Sequence, residues 1–212
     1  VSRPGGPAPF RNDGGSSVDL HLSADGRFAV FLTESAGFGL PDAAPNAVVV
    51  RDLVTDTVTI ASREDGPSGA VITDHVSEPE ISADGRRVAF TRYGPGNTGI
   101  LVYVRDLAAG RTFLASRADG EGAAAGGFST EPALDADGSR VAFTSTATDL
   151  GDGDTDATRD VHLRDLDTGR TLLVSRATGA AGAKGDGVSS SPAINASGSR
   201  VVRRTRCVFG PS

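Results

Sequence analysis

One strand-turn-strand segment occurs four times in this 212-residue chain, and that recurrence leaves few folds open. It reads SADGRFAVF at 23–31, SADGRRVAF at 82–90, DADGSRVAF at 135–143 and NASGSRVVR at 195–203. VVVRDL, VYVRDL and VHLRDL follow the first three. A second marker, Ser-Arg before a Gly-rich loop, places Ser2, Ser62, Ser116 and Ser175 at spacings of 60, 54 and 59 residues. A self-similar period of this length fits four strands and their loops.

Within the second unit the apolar runs predict strands at 76–81, 86–92, 100–105 and 111–116. Asp84-Gly85 between the first two is a hairpin signal, because Gly accepts positive φ and the Asp side chain can bond the local backbone. Asp25-Gly26, Asp137-Gly138 and Ser197-Gly198 hold the same slot. Asp106 to Gly110 and Asp165 to Gly169 read as the longer turn between strands three and four. Helix periodicity is almost absent, and short Val, Ile, Leu and Phe runs are bounded by Gly, Asp, Ser and Pro, so the chain is all-β.

A four-stranded antiparallel unit cannot bury both faces alone, and radial stacking of such units makes a β-propeller. The expected division is 1–3 as the last strand of a preceding blade, then 4–63, 64–117 and 118–176 as three complete blades. The start of a fourth follows at 177–203, with an irregular tail at 204–212. Rings of this kind close with about 4 to 8 blades, so the chain reads as part of a longer, six-bladed propeller with a tail altered after residue 203.

The net charge of −6 is spread without a like-charge block, which excludes an electrostatic footprint for nucleic acid. No apolar run approaches the roughly 20 residues that span a bilayer. Cys207 is the single cysteine, so no internal disulfide forms. Lys184 is the only lysine.

The segments SADGRRVAF and VYVRDL, with a turn ending in Gly, resemble the WD-like repeats of TolB-type propellers, over nearly the whole chain. Ala24 and Ala83 stand where that family usually has Pro. The resemblance implies a bacterial, periplasmic or secreted module, six-bladed, that binds a protein or peptide partner without catalysis and without a cofactor. Similar repeats form the propellers of some serine peptidases, so an accessory domain of a prolyl-oligopeptidase-like hydrolase is the alternative.

The loop at 149–160 carries alternating carboxylates, Asp152, Asp154 and Asp156, with Asp160 beyond. Such a run suits Ca²⁺, which takes 6 to 8 oxygens in irregular loops. It departs from an EF-hand at Ala157 and Leu163, and the alternative is a turn held by Asp side chains on backbone amides. Asp19, Glu78 and Glu131 share one slot on the first strand of successive blades, with Ser191 in the fourth. If that strand is innermost, as the resemblance implies, the three acids line the axial funnel, open to a cation or a basic partner segment, or each binds a group of the next blade. Arg51-Asp52, Arg105-Asp106 and Arg164-Asp165 recur in every unit and read as structural, forming cross-blade ion pairs. The loops at 38–46, 93–98 and 147–159, which join strands two and three on one rim, vary most and are the expected partner surface.

No catalytic residue is assigned. The nearest approaches to a G-x-S-x-G elbow, at Ser68 and after Gly187, lack its final Gly and its strand-to-helix setting. His21, His75 and His162 have no second His or Cys at zinc-ligand spacing, and His162 shares the inter-blade slot of Val49 and Tyr103.

Overall fold

The computed structural model describes residues 15–94, 99–151, 153–177, 182–185 and 187–205. β1 (Ser17–Leu22), β2 (Phe28–Thr33), β3 (Ala47–Asp52) and β4 (Thr57–Ile60) form the first antiparallel sheet, in the order β1-β2-β3-β4. β5 (Val76–Ile81), β6 (Arg87–Tyr93), β7 (Ile100–Asp106) and β8 (Arg111–Leu114) repeat it. So do β9 (Ser129–Leu134), β10 (Arg140–Ser145), β11 (Asp160–Asp165) and β12 (Arg170–Leu173). β13 (Ser189–Ile194) and β14 (Val201–Thr205) form a two-stranded sheet. A single 3₁₀ turn, Ala36–Phe38, is the one helical element among the described residues, none of which forms a helix able to cross a membrane.

The expected tail at 204–212 begins too early. β14 continues through Thr205, because Arg204 and Thr205 pair with Ser190 and Ser189. Residues 206–212 lie outside the described residues, as does the expected strand at 1–3.

The first strands of neighbouring blades pack against one another, so β1, β5, β9 and β13 form the inner wall. Between the first two blades Val30, Leu32, Val48 and Val50 meet Val76, Ile81, Val88 and Phe90. Between the second and third, Ala89, Val102 and Val104 meet Val141, Phe143 and Leu150. Alternate side chains of each central strand point to opposite blades, which is why these strands read as continuous apolar runs rather than as half-polar ones.

The S-A-D-G turns join the blades as well as the strands. Ser23 and Asp25 bond each other at 2.6 Å and accept the N–H groups of Phe28 and Arg27, and Ser82 and Asp84 do the same for Arg87 and Arg86. Across the joints Ala24 donates to the Ala83 carbonyl at 3.0 Å, and Ala136 to that of Ala196 at 3.0 Å. A proline has no N–H to donate, which explains alanine at positions 24 and 136. At the middle joint Asp84 donates to Ala136 instead, at 3.1 Å.

The repeated Arg-Asp pairs are structural, but they are not cross-blade ion pairs. Each Asp works within its own blade: Asp52 binds Arg27, Asp106 binds Arg87 and Asp165 binds Arg140. The same carboxylates cap the turns that follow, through N–H groups such as those of Val54, Ala109 and Thr168. The buried Arg105 crosses the joint to carbonyls, those of Glu64 and Gly66 at 3.0 and 3.1 Å. Arg164 binds Ala118 and Gly120 in the same way, at 3.0 and 2.8 Å. A planar fork of donors suits two carbonyls of one bent loop better than a carboxylate already capping a turn. In the first blade Arg51 pairs with Asp56, the residue that replaces the turn glycine and takes its positive φ of 59°.

Candidate functional site

Every first strand carries a bulge at one slot, and there the chain turns left-handed. Asp19, Glu78, Glu131 and Ser191 have φ of 54°, 51°, 55° and 49°, and the register of each strand shifts across them. An L-residue costs about 1–2 kcal/mol in this conformation. Its repetition in four blades shows a common geometric need: the bulge re-aims the slot's amide and side chain along the inner wall. The amide of Glu131 donates to the Glu78 carboxylate at 2.8 Å, and that of Ser191 donates to the Glu131 carboxylate at 2.7 Å. Thr144 donates a further 2.7 Å bond to the same Glu131 oxygen. From the second blade to the fourth the inner wall is thus an acid-to-amide relay, in which Glu78 holds the bulge of the third blade and Glu131 that of the fourth.

Burial raises the pKa of Glu78. The Glu131 amide opposes that shift, and the charges of Glu131 and Asp19 add to it. Two residues on, Glu80 is likewise raised by burial and faces His21 of β1, 3.0 Å away. Four acids therefore crowd the inner edges of the first three blades, with one imidazole among them.

The loop between β10 and β11 makes the second acidic place. Asp154 and Asp160 are buried and Asp156 is exposed, and ligand oxygens of the three lie within 4.8 Å of one another. Asp152 lies outside the described residues. The Lys184 ammonium sits among them, 2.8 Å from Asp154, 2.6 Å from Asp156 and 2.7 Å from Asp160. Asp154 and Asp156 also accept backbone N–H groups two residues on, from Asp156 and Thr158. Asp160 is fixed by the Ser175 hydroxyl at 2.6 Å. Burial disfavours the Lys184 charge, but its three carboxylates outweigh that and hold its pKa well above the usual lysine range. The Lys184 contact and the Thr158 hydrogen bonds bring Asp156 down to about 2.

Lys184 escaped the sequence reading, although it is the chain's only lysine. It occupies the bridge position of the third inter-blade hairpin, pairing with Arg176 as Val71 pairs with Arg63 and Ala124 with Arg117. Val71 packs against the cluster of Phe31 and Phe38 in the first blade. The strand-two to strand-three loop is therefore pinned to the following hairpin by apolar contact in blade one and by charge in blade three.

Of the rim loops, the first carries the 3₁₀ turn, with the Phe38 ring edge-on to Phe31, and most of the second, 95–98, lies outside the described residues. His75 contacts Asn46 and the Tyr93 ring, and His162 is fully buried against Phe143. A groove of about 470 Å³ between the second and third blades is lined by Arg111, Arg117 and Arg164, but the first two already hold Asp65 and Glu121.

No protein-family model matches the chain, and no curated protein is significantly similar to it. Solved structures are similar in fold. TolB from Acinetobacter baumannii is 16% identical, with a TM-score of 0.53 over 92% of this chain and 39% of that one. A structure from work on two prolyl endopeptidases is 12% identical, with a TM-score of 0.56 over 90% of this chain and 26% of that one. The chain thus spans about two-fifths of the TolB length and a quarter of the endopeptidase. With three stacked four-stranded blades and the start of a fourth, it folds as a TolB-like β-propeller.

Proposed function

We propose that this propeller is a non-catalytic, extracytoplasmic module that binds a protein or peptide, and that a basic segment of the partner lies along the acidic inner wall. The observation that carries the reading is the row of Asp19, Glu78 and Glu131 at bulged slots. Each slot residue is turned toward the inner wall by a left-handed residue, and Glu78 and Glu131 spend one carboxylate oxygen on the next blade's amide. Burial is the main cause of the raised Glu78 pKa, and a cation beside Glu78 relieves the repulsion from Glu131 and Asp19 that adds to it. The acidic net charge favours the same partner at long range. The varied rim loops supply choice among partners.

Surface plasmon resonance on the immobilised chain, with basic and acidic extended peptides of equal length, tests this. The basic peptide is expected to bind, more weakly as salt rises, and Glu78→Gln with Glu131→Gln is expected to weaken it at least about tenfold. Equal binding of both peptides, or indifference to the double substitution, removes the inner wall as the site.

A second reading has one observation in its favour, the similarity to a prolyl endopeptidase structure. In this reading the chain is the accessory propeller of a prolyl-oligopeptidase-like serine hydrolase. Coding sequence beyond residue 212 that contains a Gly-x-Ser-x-Gly elbow, with Asp and His downstream, selects this reading over the first.

A further inference from the structure

We propose that the joint between the third and fourth blades is a parting line, along which the fourth blade swings away from the third as a body while the first two joints stay closed. Each of those two joints is closed by a cluster of buried apolar side chains. Each cluster includes a fully buried phenylalanine of a second strand, Phe90 with Val48 and Val50 at the first joint and Phe143 with Val102 and Val104 at the second. The fourth blade carries Arg203 in that slot.

The replacement belongs to a trend along the chain. Ile72 of the first inter-blade hairpin becomes Ala125 and then Gly185, each donating its N–H to the serine carbonyl of its Ser-Arg marker. Val76, which opens β5, becomes Ser129 at the start of β9 and Ser189 at the start of β13. Val88 and Val141 are fully buried, whereas Val201, their counterpart on β14, is half-buried. Stabilisation that scales with apolar area removed from water therefore declines from the first joint to the third.

Polar contacts hold the fourth blade instead. Ala136 donates to the Ala196 carbonyl, Arg140 to that of Ser197, and Ser189 to that of Arg159, at 3.0, 3.0 and 2.8 Å. The Ser191 N–H donates to Glu131, and Lys184 latches the hairpin to the 154–160 loop through three carboxylates. Hydrogen bonds of this kind contribute little net stability, because water replaces them when the surfaces separate. Arg203 adds a cost to the closed joint: its Nε is buried without a hydrogen-bond partner, and parting returns that donor to water. Segments that open locally are those with few apolar contacts and many polar ones. Parting here frees the Glu131 carboxylate from the Ser191 amide and opens the inner wall from the side.

Native-state hydrogen exchange on the full chain, read amide by amide by NMR, tests this at the cross-joint donors. Ala136 and Ser191 at the third joint are expected to exchange together, at least about tenfold faster than Ala24 at the first joint and Asp84 and Glu131 at the second. Arg203→Phe restores the apolar slot and is expected to slow Ala136 and Ser191 by at least about tenfold, leaving Ala24 and Asp84 unchanged. Arg203→Leu carries the same expectation should the larger ring not fit. Lys184→Met removes the latch and is expected to speed the third joint alone. Equal protection at all three joints overturns the parting line. So does exchange at the third joint that neither Arg203 substitution slows, or a Lys184→Met variant that loosens every joint alike.

Discussion

The carboxylate of Glu131 accepts the backbone N–H of Ser191 from the next blade at 2.7 Å, and the same oxygen takes the Thr144 hydroxyl. One side chain therefore ties a bulge in its own strand to a bulge in another. Glu131→Ala removes both bonds to a charged acceptor and is expected to cost about 2–3 kcal/mol in urea unfolding. Glu131→Gln keeps an acceptor oxygen and is expected to cost about 1 kcal/mol. Glu131→Gly loses the bonds but relieves the left-handed backbone, and should lie about 1 kcal/mol above the alanine variant. Equal losses for Ala and Gln would show that the relay does not hold the joint.

Glu78 gives the relay a pH dependence. Burial raises its folded pKa above the ordinary 4.5, so the folded state holds the proton more tightly than the unfolded chain does. The sign follows: this contribution is complete below pH 4.5 and is lost as pH rises through the raised value. The urea midpoint of Glu78→Gln is thus expected to fall less than that of wild type between pH 4.5 and pH 7. A wild type that gains stability from this residue over the same interval contradicts the assignment.

Much of this architecture is legible in the chain. The turn slots, the strand pairs and the blade period are local facts, written in Asp-Gly dipeptides and apolar runs, and β5 falls on the residues the pattern predicts, Val76–Ile81. The partners of the repeated arginines are not local. Arg105 reaches loop carbonyls 41 and 39 residues away in sequence, and a carbonyl leaves no mark on residue type. The acidic loop is legible as a cation trap, but its occupant comes from Lys184, on a hairpin whose other copies carry Val71 and Ala124. A departure from repeat symmetry in composition, the lone lysine, was the available signal. The bulge at the Glu78 slot was legible as a shared acid position, whereas its positive φ is invisible in a residue type that seldom adopts it.

Arg164 tests the joint itself. Its guanidinium holds the carbonyls of Ala118 and Gly120 and the Thr171 hydroxyl, and the residue is 4% exposed. Arg164→Ala leaves two carbonyls without donors and is expected to cost about 3 kcal/mol. Arg164→Lys is expected to recover little of it, because an ammonium cannot reproduce the fork. Hydrogen exchange should quicken first in the hairpin from Arg117 to Ala124, where Ala118 donates to Ala123. Unchanged exchange there would place the cost elsewhere.

Stacking of one turn on the next blade separates backbone strain from packing. Gly85 and Gly26 occupy the same turn slot, with φ of 74° and 68°. A Cβ on Gly85 would come within 2.2 Å of the Phe28 ring, whereas one on Gly26 meets nothing within 4 Å. Gly26→Ala is therefore expected to carry the left-handed penalty alone, about 1 kcal/mol. Gly85→Ala adds the cost of displacing a half-buried ring, for a total of about 3 kcal/mol. Phe28→Ala removes the obstacle, so the double variant should be more stable than the two single losses predict, a coupling of about 1 kcal/mol in a double-mutant cycle. If the effects add without coupling, the ring moves aside freely, and the first joint is held by the Ala24 to Ala83 hydrogen bond and the core beneath it rather than by the fit of turn on ring.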